Sequence, residues 1–149
     1  MKSSNYPNLD RFIDCDENAV FDVKTRLMWF KRDTWQLSGK WMSWTQCLDF
    51  AKEQNLKKVS GFSNWRIPTS AEAKSIYEKS QSNKDHMGQT AWLHKVFNPG
   101  FGFMCWTSDV RNKIQAVRFS YRKGGTMYDD VYRTSRGATR LVRSLQKDD

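Results

Sequence analysis

The sequence lacks the features of a membrane protein or a secretory precursor. No segment approaches the roughly 18 apolar residues that a transmembrane helix needs, and residues 1–14 contain no apolar stretch typical of a signal peptide. We therefore expect a cytoplasmic protein with no membrane partner, or an extracellular one if a leader has been removed.

Cysteine and histidine are also scarce. The three cysteines, Cys15, Cys47 and Cys105, form no C-x-x-C pair, and their odd number argues against a complete disulfide framework and for a reducing compartment. The two histidines, His86 and His94, have no metal-ligand spacing. No nucleophile elbow, P-loop or dinucleotide fingerprint occurs. We expect no metal, no cofactor and no catalytic residue.

Large aromatic side chains supply much of the apolar content. The chain has 149 residues, of which 14% are aromatic, including 7 tryptophans. This length predicts one domain, residues 11–149, with residues 1–10 as a flexible arm. Four tryptophans are predicted to lie in the core: Trp29, Trp44, Trp65 and Trp106. Trp35 and Trp41, between polar residues, are better candidates for exposure.

The first half of the chain shows signals of a hairpin and two helices. Alternation over 12–30, with a turn at 16–18, predicts a β-hairpin, and 31–41 is predicted to be a loop. Ser43 with Gln46 has the spacing of a capping box and predicts a helix from Trp44 to about Asn55. Thr69 with Glu72 has the same spacing and predicts a second helix from about Ser70.

After Gly100 the periodicity changes to that of strands. Residues 114–122 alternate, with Val117, Phe119 and Tyr121 on one face and Arg118, Ser120 and Arg122 on the other. Residues 123–126 form a glycine turn, 127–132 the returning strand, and 137–143 offer a last strand. A hairpin, two helices and a late antiparallel meander together predict the α+β class.

Five blocks of the sequence carry a family resemblance. The blocks are Val20 to Trp29, the stretch Gly61-Phe62-Ser63-Asn64-Trp65-Arg66-Ile67-Pro68-Thr69-Ser70-Ala71-Glu72, Trp106-Thr107-Ser108, Gly124-Gly125 and Arg140-Leu141-Val142-Arg143. Together with Arg11-Phe12 and Trp44, they resemble the Lcl C-terminal domain family, which is found at the C-terminus of bacterial collagen-like adhesins. The resemblance runs from about Arg11 to Arg143.

The resemblance implies a C-type-lectin-like fold of the sulfatase-modifying-factor branch. Formylglycine-generating enzymes of that branch hold copper with two closely spaced C-terminal cysteines, whereas this chain has only Cys105 there. Calcium-dependent lectins use Glu-Pro-Asn or Gln-Pro-Asp, of which only Asn98-Pro99 is present here, preceded by Phe97. Neither copper nor calcium binding is therefore expected.

The charge distribution carries the functional signal. The net charge is +9, and the last quarter, from Arg111 to Arg143, has nine cations against two carboxylates. Arginine is well suited to contacts with oxyanions because its planar fork matches them. The candidate ligand-binding residues are Arg111, Lys113, Arg118, Arg122, Lys123, Tyr128, Tyr132, Arg133 and Arg136. Some of these cations could instead pair with Asp109, Asp129 or Asp130 inside the fold, and Arg66 and Arg143 are expected to make structural hydrogen bonds.

These observations favour a non-enzymatic recognition module. Its Arg-rich face would bind an acidic or sulfated polysaccharide or an acidic protein surface. The alternative is a structural or assembly subunit that docks onto a larger complex or onto its own copies. A sulfatase-modifying-type oxidase is disfavoured by the missing cysteine, and nucleic acid by the absence of a recognition motif.

Overall fold

The computed structural model describes residues 10–146. The predicted arm therefore lies, except for Asp10, outside the described residues. The strands are β1 (Phe12–Asp14), β2 (Ala19–Asp22), β3 (Leu27–Phe30), β4 (Asn83–Lys84), β5 (Thr90–Ala91), β6 (Met104–Arg111), β7 (Gln115–Ser120), β8 (Thr126–Asp130) and β9 (Val142–Ser144). The helices are α1 (Thr34–Ser38), α2 (Trp44–Leu56) and α3 (Ser70–Ser75), with a 3-10 turn at Val59–Gly61. The predicted α+β class is confirmed.

A four-stranded antiparallel sheet joins the two ends of the described chain. Its strand order is β9-β3-β2-β1, so the predicted early hairpin is confirmed and is extended by β3 and by the last strand. The turn between β1 and β2 is fixed by Asp16, whose carboxylate accepts hydrogen bonds from the backbone N–H groups of Asn18 and Ala19. Val142 pairs with Trp29 within the sheet, and Arg66 adds a bridge to Val142.

Both predicted capping boxes are confirmed. The Ser43 side chain accepts from the Gln46 backbone N–H at the start of α2, and Thr69 accepts from the Glu72 N–H at the start of α3. Each reciprocal bond from the third residue back to the cap is also present, so both helix starts have satisfied backbone donors.

The predicted loop 31–41 is wrong in its middle, because α1 lies there. Asp33 caps α1 by accepting from the Gln36 N–H, and the Gln36 side chain accepts from the Asp33 N–H. Gly39 ends the helix with φ of 73°, a left-handed conformation that glycine adopts without strain. The Asp-x-x-Gln spacing is a third capping box, and it is the local signal from which α1 could have been predicted.

A three-stranded antiparallel sheet with the order β6-β7-β8 forms the late meander. Its strands β7 and β8 match the predicted strands within a few residues, and Gly124, with φ of 79°, lies in the predicted turn. The long strand β6 was not predicted. The last strand begins at Val142 rather than at Gly137, because the carbonyl oxygens of residues 137–139 accept from the N–H groups of Met42, Trp106 and Thr34 instead of from β3.

The core is built from tryptophans and phenylalanines, as the composition predicts. Trp29, Trp65 and Trp106 are buried, and Trp44 is partly buried. Trp35 and Trp41, the candidates for exposure, are both partly buried and stack on each other with ring centroids 4.0 Å apart.

The two arginines that were expected to have structural roles do so. Arg66 makes a bidentate pair with Glu72, with Nη1 to Oε1 at 2.7 Å and Nη2 to Oε2 at 2.9 Å. Arg143 is buried, donates from Nε to Oδ1 of Asn64 at 2.7 Å, and stacks on the ring of Phe62. Arg66 also donates from Nη2 to Oγ of Ser144 in β9 at 2.7 Å, so both arginines link the four-stranded sheet to the segment that precedes α3.

Within residues 10–146, no helix has both the length and the apolar character to cross a lipid bilayer. The longest helix of this part of the chain, α2, has 13 residues and a polar outer face.

Candidate functional site

The register of the three-stranded sheet decides which candidate residues can lie together. Directly paired residues of antiparallel strands project to the same face. Arg118 pairs with Trp106 on β6 and with Met127 on β8, so these three side chains share one face. Val117 pairs with Tyr128, which places Tyr128 on the opposite face.

Arg118 does not project into solvent as the alternation suggested. Only 4% of the residue is accessible, because the segment 133–136 lies over its guanidinium group. Nη1 donates to Oδ2 of Asp129 at 2.9 Å, and Nη2 donates to the carbonyl oxygens of Ser135 and Arg136. The guanidinium carbon also lies 4.5 Å from the ring centroid of Trp106. The expected exposure of Arg118 is therefore wrong.

Arg118 closes the bottom of an open groove on this face of the sheet. The groove has two adjoining parts of about 350 Å³ and 480 Å³, which share an apolar floor of Phe103, Met104 and Met127. We call it the basic groove, because Arg118 lies at its bottom and its sides are formed by Arg122, Lys123, Arg133 and Arg136. Five of the nine predicted site residues thus meet at one place.

Arg122 is held rigidly at one side of the basic groove. Its Nε donates to Oδ2 of Asp85 at 2.6 Å, and its guanidinium carbon lies 3.8 Å from the ring centroid of Phe103. Burial alone would raise the pKa of Asp85, but the hydrogen bonds from Arg122 and from two backbone amides hold it below its ordinary value. Asp85 is therefore an anion that fixes Arg122 in place.

Arg133, Arg136 and Lys123 form the accessible rim. Arg133 is 56% exposed at its side chain and donates from Nε to Oδ1 of Asp129 at 2.6 Å. Arg136 is exposed and contacts the sulfur of Met87 at 3.9 Å. Among residues 10–146, no carboxylate lies within salt-bridge distance of Arg136 or Lys123. Their charges are accordingly available to a ligand.

Asp129 accepts hydrogen bonds from two arginines of the groove, Arg118 and Arg133. Burial opposes its ionisation, but hydrogen bonds from Arg133, from the Asp130 backbone and from Arg118 keep its pKa below the ordinary value. Five cations therefore face two carboxylates, Asp85 and Asp129, and the basic groove keeps a positive excess.

The remaining four predicted site residues lie outside the basic groove. Arg111 stacks on the ring of Tyr128 at 3.7 Å, on the opposite face of the sheet, and bonds to Gln115. Lys113 is exposed in the turn between β6 and β7, and Tyr132 is 72% exposed beyond the end of β8. The structure thus divides the predicted single face into two surfaces.

An aromatic group beside the basic groove was not predicted. The imidazole of His86 lies parallel to the ring of Phe103, with centroids 6.2 Å apart, and it also contacts Trp41 at 4.8 Å and Trp35 at 6.0 Å. Burial lowers the pKa of His86, so the ring is neutral at pH 7. Residues 86 and 103 are far apart in sequence and carry no shared pattern, so only the tertiary structure reveals this group.

The described part of the chain brings together no three His, Cys, Asp or Glu side chains that could hold a metal ion. Its chemistry at the basic groove is that of guanidinium and ammonium groups beside apolar and aromatic surface. Such a site can attract and orient an oxyanion through charge-assisted hydrogen bonds while apolar parts of the ligand cover the floor.

Comparison with protein families identifies the scaffold. A family model described as the Lcl C-terminal domain matches residues 18–143. The chain belongs to the Lcl C-terminal domain family. No curated protein sequence gives a significant match.

In this member of the Lcl C-terminal domain family, the matched blocks build the interior. Trp29, Trp65 and Trp106 are buried, and Arg143 is fully covered. The rim residues of the basic groove, in contrast, lie between those blocks along the chain. The family match over residues 18–143 includes both the scaffold and the segments that carry these rim residues.

Proposed function

We propose that this Lcl C-terminal domain is a non-enzymatic recognition module that binds an anionic ligand in the basic groove. Family membership supports a role as a C-terminal module of adhesin-like proteins. The ligand class is an acidic or sulfated polysaccharide or an acidic protein surface. The observation that carries the proposal is the positive excess of the groove, with Arg136 and Lys123 open to solvent and without a carboxylate partner in the described chain.

The shape of the groove supports a polymeric ligand. It is open along its length, and its floor of Phe103, Met104 and Met127 offers apolar surface between two charged sides. A sugar ring or an aliphatic side chain can cover such a floor while its sulfate or carboxylate groups reach the rim. Arg122, fixed by Asp85 and Phe103, is already oriented, so little side-chain entropy is lost when it binds an anion.

The finer fold assignment is part of the same proposal. We infer a C-type-lectin-like fold of the sulfatase-modifying-factor type, supported by the antiparallel sheets and by the sheet that pairs β9 with β3. The state of two thiols argues against a copper-dependent oxidase of the sulfatase-modifying type. Cys47 and Cys105 are both buried, and burial raises the pKa of each thiol, which disfavours the thiolate that copper chemistry would require.

Charge reversal on the rim tests the proposed function. The double variant Lys123→Glu and Arg136→Glu changes two accessible groove cations, and the matched control Lys52→Glu and Lys57→Glu makes the same charge change on exposed positions at α2. Affinities for heparin and for poly-L-glutamate are measured by isothermal titration calorimetry at several salt concentrations. We expect the groove variant to lose about tenfold or more in affinity, which is about 1.4 kcal/mol, and the control to lose much less.

Wild-type affinity should also fall steeply with salt, because exposed charges are screened within about 8 Å at physiological ionic strength. A preference for heparin would assign the ligand to sulfated polysaccharides, and a preference for poly-L-glutamate to acidic protein surfaces. Equal losses in the two double variants, or affinities that do not change with salt, would contradict binding in the basic groove.

A further inference from the structure

Strand β8 is an edge strand, and its outer side is not covered by any other described strand. The sheet order β6-β7-β8 leaves β8 with β7 as its one partner in the described chain. Thr126, Tyr128 and Asp130 are exposed. An exposed strand edge carries backbone N–H and C=O groups that can pair with another extended chain.

The hydrogen bonds at the two ends of β8 show which groups point outward. The Ser120 N–H donates to the Gly125 carbonyl oxygen, and the Val131 N–H donates to that of Ile114. Hydrogen-bonded and non-hydrogen-bonded pairs alternate along an antiparallel ladder. Positions 125, 127, 129 and 131 of the chain therefore bond to β7, while positions 126, 128 and 130 direct their backbone groups away from it.

Two of these three outward residues keep their backbone groups available. The Asp130 N–H bonds to Oδ1 of Asp129, and its carbonyl oxygen accepts from the Arg133 N–H. The N–H and C=O groups of Thr126 and Tyr128 have no such local partner in the described chain. Thr126 and Tyr128 are two residues apart, and this is the interval at which a strand presents its backbone groups to an added β-strand.

Cations surround this edge. Arg111 stacks on the Tyr128 ring from one face of the sheet, and Arg133 lies beside Asp129 on the other. Lys123 precedes the strand, and Lys113 lies in the turn next to its far end. The carboxylate of Asp129 is engaged by two arginines, and the exposed Asp130 is the second carboxylate of the strand. These four cations therefore outnumber the two carboxylates, and the charge around the edge is positive.

We propose that the free edge of β8 binds an extended acidic peptide segment of a partner protein as an additional β-strand. The Thr126 and Tyr128 backbone groups supply the ladder, and the surrounding cations select glutamate and aspartate side chains. A second copy of this chain fits less well, because the net charge of +9 on each copy opposes association. The edge adjoins the basic groove and shares Lys123 and Arg133 with it, but pairing through the Thr126 and Tyr128 backbone is separate from binding in the groove, and the backbone test below distinguishes the two.

The test uses a labelled octapeptide of alternating glutamate and valine. Its matched control has the same sequence with N-methylated peptide bonds, which keeps the charge and the side chains but removes the backbone donors in both strand registers. Binding is measured by fluorescence anisotropy, and amide hydrogen exchange is followed by NMR. We expect the glutamate-valine peptide to bind about tenfold or more tightly than the control and to protect the Thr126 and Tyr128 amides.

A backbone variant separates the edge from its side chains. Tyr128→Pro removes an outward N–H that the β7–β8 ladder does not use, and proline is tolerated at such edge positions, while Tyr128→Ala removes only the ring. With folding verified by thermal unfolding, Tyr128→Pro should weaken binding about tenfold more than Tyr128→Ala. The proposal would be overturned if the two variants had equal effects or if the two peptides bound with equal affinity. It would also be overturned if, without peptide, protection of the Thr126 and Tyr128 amides rose with protein concentration, since that result would indicate pairing with a second copy.

Discussion

Arg118 and Asp129 form an ion pair, with Nη1 to Oδ2 at 2.9 Å, beneath the segment that carries the rim of the basic groove. The same guanidinium group donates to the carbonyl oxygens of Ser135 and Arg136. Arg118, which the sequence suggested as a ligand contact, therefore positions the backbone from which Arg133 and Arg136 project. Its contribution to binding is expected to be indirect, through the shape of the groove.

Asp129→Asn should strongly destabilise the fold. The substitution leaves the buried Arg118 guanidinium without its carboxylate partner, and breaking such a pair typically costs about 3 kcal/mol or more. Asp130→Asn is the matched control, because Asp130 is exposed and next in sequence. Urea unfolding measures both, and similar midpoints for the two variants would show that the ion pair contributes little.

Asp33 should make stability depend on pH between about 4 and 6. Burial raises its pKa from 3.8 to about 6, although Arg140 and the backbone N–H groups of Gln36 and Gly102 oppose the shift. Because the folded pKa lies above the unfolded one, the folded state binds more protons in this range. The contribution of Asp33 is most favourable below the unfolded pKa, and it is lost as the pH rises through the folded pKa.

The Asp33→Asn variant isolates this effect, because asparagine does not titrate. We expect the free energy of unfolding of the wild type to fall, relative to that of Asp33→Asn, by about 2 kcal/mol between pH 4 and pH 7. Urea unfolding at a series of pH values measures the difference. If the difference in unfolding free energy between wild type and variant stayed constant across this pH range, it would contradict a raised pKa at Asp33.

Gly137 cannot accept a side chain. A Cβ atom there would lie 1.9 Å from the Met42 carbonyl oxygen, and the Gly137 carbonyl oxygen itself accepts from the Met42 N–H at 2.7 Å. Gly137→Ala should lower stability by about 3 kcal/mol, whereas a Cβ atom at Gly125 would meet nothing within 4 Å. Thermal unfolding compares Gly137→Ala with Gly125→Ala, and equal melting temperatures would refute this account.

Glu72 has two roles that substitutions can separate. It accepts the bidentate pair from Arg66, and its Oε1 also accepts from the Thr69 backbone N–H. Glu72→Gln keeps a capping acceptor but removes the charge, while Thr69→Ala removes the reciprocal cap, which typically costs about 1 kcal/mol. Chemical unfolding should show a smaller loss for Glu72→Gln than for Glu72→Ala, which removes both interactions.

Local signals predicted much of the fold. Ser43 with Gln46 and Thr69 with Glu72 marked both longer helix starts, because a capping box involves residues only three apart. Asp33 and Gln36 carry the same signal for α1, although the polar residues around them favoured a loop. Strand β6 gave no clear alternation, since its first four residues are all buried and both faces of the sheet are covered there.

The candidate site was predicted only in part. Charge clustering identified the five cations of the basic groove but could not separate them from Arg111 and Lys113, which lie elsewhere. Charge clustering also could not predict the apolar floor of the groove, because Phe103, Met104 and Met127 come together only when β6, β7 and β8 pair. The available backbone edge of β8 has no sequence signature of its own.

By itself, the sequence determined the α+β class, the two capped helices, the family and the excess of positive charge, because these depend on composition and on residues near one another in the chain. Only the tertiary structure decided that Arg118 is buried while Arg136 is open, and which cations share a groove. The direction and burial of a side chain depend on which distant segment packs over it, and here that segment is the backbone of residues 133–136.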